Sequence, residues 1–334
     1  MIKLTVVILT YNLEKYVEKA VESVLMQEVD FEYKIRISDD CSTDSTINII
    51  KALYDKYPDR IELLLSDENG GCLKNSNRAF SGIESEYFAL LDGDDYWIGK
   101  TQLQKKISFL DSHPEYTMCG SDTIKKYSDG NEKRIINALK ECSYDFKDYL
   151  QGYVPYVHPS ALVLRNSIYK NGVPQIYHDV ENAFENCAVR GDEFRFITHL
   201  EKGKLMVFNE VMSCYRIHEK GIWQGASETK RQIETAISKN FFDKYYKDLQ
   251  EDTFRRMCVA SYKDLMRHLI DQRIYSYFSL TEEETYLLTE YLRDIAKRDV
   301  SWSKDGSSYI YQQPKVGMVR RVWRSIRKLF ILRR

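Results

Sequence analysis

Residues 4–9, Leu-Thr-Val-Val-Ile-Leu, form a nearly unbroken apolar run rich in β-branched side chains. Such runs read as strands buried on both faces of a parallel sheet. The period then changes. Val17, Ala20, Val21, Val24 and Leu25 recur at three- and four-residue intervals, which predicts a helix, and Asn12 stands ahead of it as a cap. The alternation repeats along the chain. A strand over 33–38 precedes a helix bearing Ile47, Ile50, Leu53 and Tyr54. A strand over 61–65 precedes a helix over 75–83, and a fourth strand covers 87–91. Strands alternating with helices of this length specify βαβ units, so the fold class is α/β, a mostly parallel sheet flanked by helices. From 227 to 298 the pattern turns helical, charged and aromatic, with Thr281 and Glu284 spaced as a capping box.

In such sheets ligands bind beyond the carboxyl ends of the strands. Polar residues gather at those places here. Thr10-Tyr11-Asn12 follows the first strand, Asp39-Asp40 the second, Asp67-Glu68-Asn69 the third and Asp92-Gly93-Asp94-Asp95 the fourth. Four polar strand ends on one edge make a site.

Composition narrows the classes. Hydrophobic residues make up 43% and charged residues 30% of 334, enough for a real core under a soluble surface. The net charge of −1 gives the chain as a whole no attraction to nucleic acid, but the ends differ. Residues 315–334 hold eight Lys or Arg and no acid, so the body is net acidic. Val319, Val322, Trp323, Ile326, Leu329 and Phe330 recur there at helical spacing between the basic residues, the signature of an interfacial helix on anionic lipid. Seven cysteines are scattered with no CxxC pair, which favours reduced thiols and the cytosol. The opening apolar run is too short for a signal peptide, and no run approaches the roughly 18 residues of a membrane span. The expected location is therefore cytoplasmic, held at the inner leaflet by the tail.

The acids carry the chemistry. Asp92 and Asp94, at i and i+2 after a buried strand, can both turn toward one Mn2+ or Mg2+. Such cations bind carboxylates and phosphates together. Gly93 lets the backbone approach a ligand closely. Asp39, at a strand end, can accept hydrogen bonds from a base or a ribose hydroxyl, while Asp40 or the Ser42-Thr43-Asp44 cluster caps the next helix.

Val7-Ile8-Leu9-Thr10-Tyr11-Asn12, Ser38-Asp39-Asp40-Cys41-Ser42-Thr43-Asp44, Asn69-Gly70-Gly71 through Asn77, and Leu91-Asp92-Gly93-Asp94-Asp95-Tyr96-Trp97 together resemble family 2 of the inverting glycosyltransferases, of GT-A fold and bacterial surface-glycan type. The resemblance covers about residues 1–225; Cys41 stands where that family more often has Gly. It implies a hexosyl- or N-acetylhexosaminyl-transferase using a nucleotide-diphospho-sugar, usually a UDP-sugar. By the same resemblance Asp39, Thr10 and Tyr11 lie on the nucleoside. Asp92 sits near ribose and metal, Asp94 is the main metal ligand, and Lys74 reaches donor phosphate or sugar. Asp192 resembles the base that takes the acceptor proton in a single displacement, with Glu193 as its rival. Tyr215-Arg216-Ile217-His218 resembles the Tyr-Arg-x-His element that closes these domains. There Arg216 pairs with phosphate, and His218 serves as metal ligand or phosphate donor. His158 lies where acceptor-side residues sit.

The expected organisation is a catalytic domain over 1–225, a helical region over 226–314 and the basic tail helix over 315–334. The acceptor is a glycan or lipid-linked glycan. Two other classes compete. A sugar nucleotidyltransferase needs a Gly-rich basic loop where Thr10-Tyr11-Asn12-Leu13 stands. A membrane-associated binding protein with a degenerate site conflicts with the intact Asp39, Asp92, Asp94 and Asp192. No GxGxxG follows the first strand, which excludes a Rossmann dehydrogenase.

Overall fold

A computed structural model describes residues 2–136, 140–190, 192–218, 221–249, 252–275 and 280–302. Strands β1 (Leu4–Thr10), β2 (Tyr33–Asp39), β3 (Ile61–Leu65) and β4 (Tyr87–Asp92) alternate with helices α1 (Val17–Leu25), α2 (Thr46–Lys56) and α3 (Gly71–Phe80). Then come β5 (Tyr96–Trp97), α4 (Gln102–Ser112), β6 (Tyr116–Tyr127), β7 (Glu132–Arg134), β8 (Cys142–Tyr144), α5 (Phe146–Leu150) and β9 (Val163–Arg165). Helices α6 (Gln175–Asp179), α7 (Asn186–Arg190) and α8 (Asp192–Leu200) lead to the long β10 (Lys204–Ile217). Helices α9 (Ile222–Gly225), α10 (Glu228–Tyr245), α11 (Thr253–Tyr275) and α12 (Glu282–Trp302) follow.

The ten described strands join one sheet with the path β3-β2-β1-β4-β9-β6-β10-β5, β7 pairing with β6 and β8 with β10. Strands β1 to β4 are mutually parallel, and β6 is parallel to β10. Because β9 runs antiparallel to both β4 and β6, the six long strands all point one way. Only the two- and three-residue strands run against them. The mostly parallel sheet is thus present, and its carboxyl ends lie on one edge.

The alternation along β1 explains the layers. Leu4, Val6 and Ile8 join Val17, Val21, Val24, Ile50 and Ile107 in one core, and Val7 joins Phe80, Phe88, Leu162 and Leu200 in a second. Both faces are covered, so the strand reads apolar throughout. A third cluster seats α10 and α11 on α3, α7 and α8 through Leu73, Val189, Phe194, Phe241, Phe242 and Phe254. The 225/226 division marks where strand–helix alternation ends, while the packing continues across it. By compactness the chain divides into Met1–Leu288 and Thr289–Arg334. Thr281 and Glu284 form the expected capping box, each side chain accepting the other's backbone N–H. The third predicted helix begins four residues earlier than its apolar spacing suggested, at Gly71. No described helix is long and apolar enough to cross a membrane. The basic tail over 315–334 lies outside the described residues.

Candidate active site

Pairing register sets the floor. Thr10 lies beside Asp39, and Leu9 beside Asp92, at the ends of neighbouring strands. Asp39 is fully buried. Its carboxylate accepts from the Thr10 hydroxyl at 2.7 Å, the Ser42 hydroxyl at 2.6 Å and the Ser42 N–H at 2.8 Å. Tyr11, next along, is exposed. Asp40 accepts the N–H groups of Gly70 at 3.0 Å and Gly71 at 2.7 Å. It therefore serves the start of α3, while Asp44 accepts from Thr46 N–H at 2.9 Å and serves α2. The expectation that Asn12 caps α1 is corrected. Tyr16 precedes that helix with no side-chain cap, and Asn12 instead adopts φ 55°. Its side-chain oxygen accepts from the Thr43 N–H at 2.8 Å, tying the first loop to the second. Cys41 also has positive φ, 62°, the left-handed region that favours glycine.

Asp92, Asp94 and Asp95 crowd the end of β4. Gly93 is required there by its neighbours: a Cβ would stand 2.8 Å from the Leu9 carbonyl oxygen and 2.8 Å from Thr10 Cγ2. Asp95 is fully buried and both its oxygens are engaged, one by the Arg216 N–H at 3.0 Å and one by the Ser160 hydroxyl at 2.7 Å. Asp94 Oδ2 lies 2.9 Å from His218 Nε2, and both side chains keep some exposure, 19% and 12%. The half-buried Asp92 carboxylate has no hydrogen-bond partner among the described residues. Burial, with Asp192 and Asp94 adding like charge, holds Asp92 well above the ordinary carboxylate range, and Arg195 offsets part of this. Burial, then Asp94 and Asp92, does the same to Asp95.

Ligand atoms of Asp92, Asp95 and His158 lie within 4.8 Å of one another. Two of those three are spent on structure. Asp95 has both oxygens occupied. His158 Nδ1 accepts the Ser160 N–H at 3.3 Å, and its ring stacks on Tyr215 at 4.4 Å. Burial pushes the His158 imidazole down to about 3, so it is neutral. Asp92 has no hydrogen-bond partner among the described residues, and the side chains of Asp94 and His218 hydrogen-bond only each other there, leaving His218 Nδ1 buried without a partner. Oxygen donors plus one imidazole suit Mn2+ or Mg2+, and three mutually repelling carboxylates suit a cation among them.

The short 3-10 turn Pro159–Ala161 underpins this cluster. Ser160 reaches Asp95, and Asp92 N–H reaches the Ser160 hydroxyl at 3.4 Å. The turn is held from behind by two buried donors. Trp97 Nε1 donates to the Ser160 carbonyl at 2.7 Å and Lys106 Nζ to the Ala161 carbonyl at 2.7 Å. Lys106 is 1% exposed, and burial pushes its ammonium down to about 7.

Asp192 and Glu193 open α8 and diverge at once. Glu193 is committed: Lys239 Nζ lies 2.5 Å and 2.6 Å from its two oxygens, and the Tyr149 hydroxyl donates to it at 2.9 Å. Among the described residues Asp192 meets only Arg195, at 3.3 Å and one turn along, with 43% of its side chain exposed. Burial raises its pKa while Arg195 opposes the rise. Arg195 is itself buried, donating to the Tyr169 hydroxyl at 3.0 Å and lying 4.6 Å from the Phe80 ring centre. The i, i+3 spacing of Asp192 and Arg195 was visible in the sequence, though its meaning was not.

Tyr156 is 62% exposed, yet Asp192 and Asp92 follow burial among the causes that raise its phenol. Its ring lies edge-on to that of His158 with 6.2 Å between centres, which puts it at the rim of the acid cluster. Arg216 donates to the Asp94 carbonyl at 2.7 Å, with its guanidinium 5.2 Å from the Tyr16 and 4.7 Å from the Tyr96 ring centres. It thus holds the Asp92–Asp95 loop. Lys74, on α3, is 43% exposed and 3.9 Å from Glu181.

A parallel α/β sheet with buried acids at adjacent strand ends, and a carboxylate cluster with a further, partly exposed acid on a separate helix, defines a protein of the nucleotide-sugar-binding class. The chain belongs to glycosyl transferase family 2, whose model matches residues 5–172. It is 36% identical over 239 residues to TuaG of Bacillus subtilis (strain 168), named as a teichuronic acid biosynthesis glycosyltransferase, covering 67% of this chain and 86% of TuaG. It is 29% identical over 233 residues to an uncharacterized protein of Mycobacterium tuberculosis (strain ATCC 25618 / H37Rv), covering 69% of this chain. The match spans 63% of that relative's length. The fold is similar to that of S. aureus TarS 1-349 in complex with UDP-GlcNAc, with a TM-score of 0.60 at 20% identity over 89% of this chain and 82% of that one. The GT-A architecture is therefore present.

Proposed function

We propose that the chain transfers a sugar from a nucleotide-diphospho-sugar, a UDP-sugar in the first instance, to a hydroxyl of a glycan or lipid-linked acceptor, with inversion. The observation that carries this reading is the division of labour between two acids in one sequence pair. Glu193 is bound on both oxygens, whereas Asp192 is open and shares its electrostatics with Asp92. UDP-GlcNAc in complex with TarS and the activity in TuaG's name support a nucleotide sugar and a surface glycan.

Thr10, Tyr11 and Asn12 with Asp39 would border the nucleoside. The Asp39 carboxylate already aligns Thr10 and Ser42, so the loop is ordered before the base arrives. Asp92, Asp94 and His218 would hold a Mn2+ or Mg2+, which when bound neutralises the departing diphosphate. Lys74 and Gly93 would lie along the donor. Asp192 would take the proton of the acceptor hydroxyl while its oxygen bonds to the anomeric carbon; the bond to the diphosphate oxygen breaks and its electrons leave with the phosphate. Arg195 would hold the Asp192 carboxylate turned and opposes the burial that raises its pKa. The 315–334 tail would rest on anionic lipid, which places the site at the inner leaflet near a lipid-linked acceptor.

A donor screen tests the reading. UDP- and GDP-sugars are incubated with Mn2+ and release of the nucleotide is followed. One donor should be turned over, and transfer to a soluble acceptor should give the inverted anomer. A retained anomer would contradict single displacement.

A further inference from the structure

Away from the acid cluster the body carries a recess of about 500 Å3 between the end of α5 and the start of α11. Its walls are Tyr149, Gln151, Tyr153, Thr253, Arg256 and Met257, with Leu150 and Gly152 completing them. No carboxylate lines it. Arg256 donates to the Thr253 hydroxyl at 3.1 Å and has no acidic partner among the described residues. The Gln151 amide and the Tyr153 hydroxyl are likewise free of partners among the described residues. Tyr153 is 66% exposed, an unusual degree for a ring with nothing to cover it.

The recess is joined to the chemistry by one segment. Tyr149 sits in its wall and its hydroxyl donates to Glu193, the neighbour of Asp192. Tyr153 follows, presented by Gly152 in the left-handed region at φ 77°. Tyr156 comes next, its ring edge-on to His158 at 6.2 Å, at the rim of the acid cluster. Residues 149–156 therefore run from the recess to the acids with two exposed rings on the way.

We propose that this recess is a remote subsite for the acceptor, binding a saccharide unit that bears an anionic group, with the intervening units lying along Tyr153 and Tyr156. The inference rests on the transferase reading and adds to it the class of acceptor, an extended acidic saccharide. Tyrosine rings offer flat amphipathic faces to sugar rings. A guanidinium fork pairs with carboxylate or phosphate through two parallel hydrogen bonds. The volume falls within the range of small-ligand sites, roughly 300–1,000 Å3.

Calorimetry on the full chain uses four probes: a hyaluronan tetrasaccharide, the same tetrasaccharide with its carboxyls methyl-esterified and so neutral, inorganic phosphate alone, and UDP with Mn2+. The acidic tetrasaccharide should bind more tightly than the neutral one. Arg256→Gln should weaken the acidic probe about tenfold, the scale of a charge-assisted hydrogen bond, and erase the preference. Tyr153→Ala should weaken both saccharides. Neither change should alter UDP affinity. Both positions are exposed, and Gln151→Ala offers a third variant of the same wall. Equal saccharide binding by wild type and variants overturns the subsite, as does phosphate binding without saccharide binding. UDP binding with no saccharide binding overturns the subsite and leaves the transferase reading standing. Saccharide binding that follows the variants in a protein that ignores UDP supports the subsite and removes UDP as the donor's nucleotide.

Discussion

Asp192 and Glu193 are chemically alike and adjacent, and their surroundings set them apart. A general base needs a free lone pair at the moment of attack. Glu193 has given both oxygens to Lys239 and Tyr149, and Asp192 has given one to Arg195 at a long 3.3 Å. Asp192→Asn should cut transfer by about 10²-fold or more, the scale of a lost general base, with UDP affinity unchanged. Glu193→Gln should keep most activity and lower stability by about 1 kcal/mol, since it unpairs a mostly buried lysine beside a partly exposed acid. The reverse outcome would move the base by one residue. Because burial raises the Asp192 pKa, the acid limb of kcat/KM should lie above the ordinary carboxylate value of about 4, with activity falling as pH drops through it. Lys106 gives a second residue-scale test. Its folded pKa, pushed down to about 7, lies below the unfolded value of about 10.4. Between those values the unfolded chain binds the extra proton, so this group's contribution to stability rises with pH. Lys106→Met removes that slope. Its stability relative to wild type should improve as pH falls from 10 to 7, as read by denaturant melts. A pH-independent difference would show that the ammonium pairs without cost.

At the scale of elements, the strand–loop junctions hold the acids in place. Cys41 pays for a left-handed backbone that glycine adopts freely. Cys41→Gly should leave stability unchanged or raise it by about 1 kcal/mol, and Cys41→Val should lower it. Gly93→Ala should cost about 1–3 kcal/mol by overpacking against Leu9 and Thr10 and should weaken Mn2+ binding, because it displaces Asp92 and Asp94 together. A normal melt with normal Mn2+ affinity would show that the loop yields without moving the acids. These junctions were largely legible from the chain alone. Strands β1 to β4 are apolar runs ended by polar clusters, so element and site were written in the same residues. Helices α1 and α2 were legible from their apolar spacing, and α3 was read four residues late because two glycines hide a start that Asp40 caps from a distant loop; helices α4 to α9 and the long strands β6 and β10 were not read from the chain. What stayed hidden depends on contacts between segments far apart in sequence. Asn12 looked like a local cap and proved a bridge to Thr43, and no local pattern announced that Arg216 donates to the Asp94 carbonyl and lies against two rings. The support from Lys106 and Trp97 to the Ser160 turn leaves no local pattern at all. Short strands β5, β7, β8 and β9 are too brief to show a period.

At the scale of the whole molecule, the parallel sheet gathers its polar ends on one edge and α8 brings Asp192 to them. Helices α10 and α11 pack onto α7 and α8, so they brace the element that carries Asp192. If the 315–334 tail holds the enzyme at a surface, its deletion should free the protein from anionic vesicles at low salt while transfer to a soluble acceptor stays nearly unchanged; screening weakens the full-length protein's binding as salt rises. Co-sedimentation reads this directly, and a full-length protein that stays in the supernatant at low salt removes the membrane reading. The central claim is narrower: a nucleotide diphosphate is held through a cation at Asp92, Asp94 and His218. It is tested most directly by titrating UDP into the full chain by calorimetry, in Mn2+ and again in EDTA, with Asp94→Asn alongside. The account predicts binding in Mn2+ that is lost in EDTA and greatly weakened by Asp94→Asn. UDP binding that is equal in Mn2+ and EDTA, or absent in both, would contradict it.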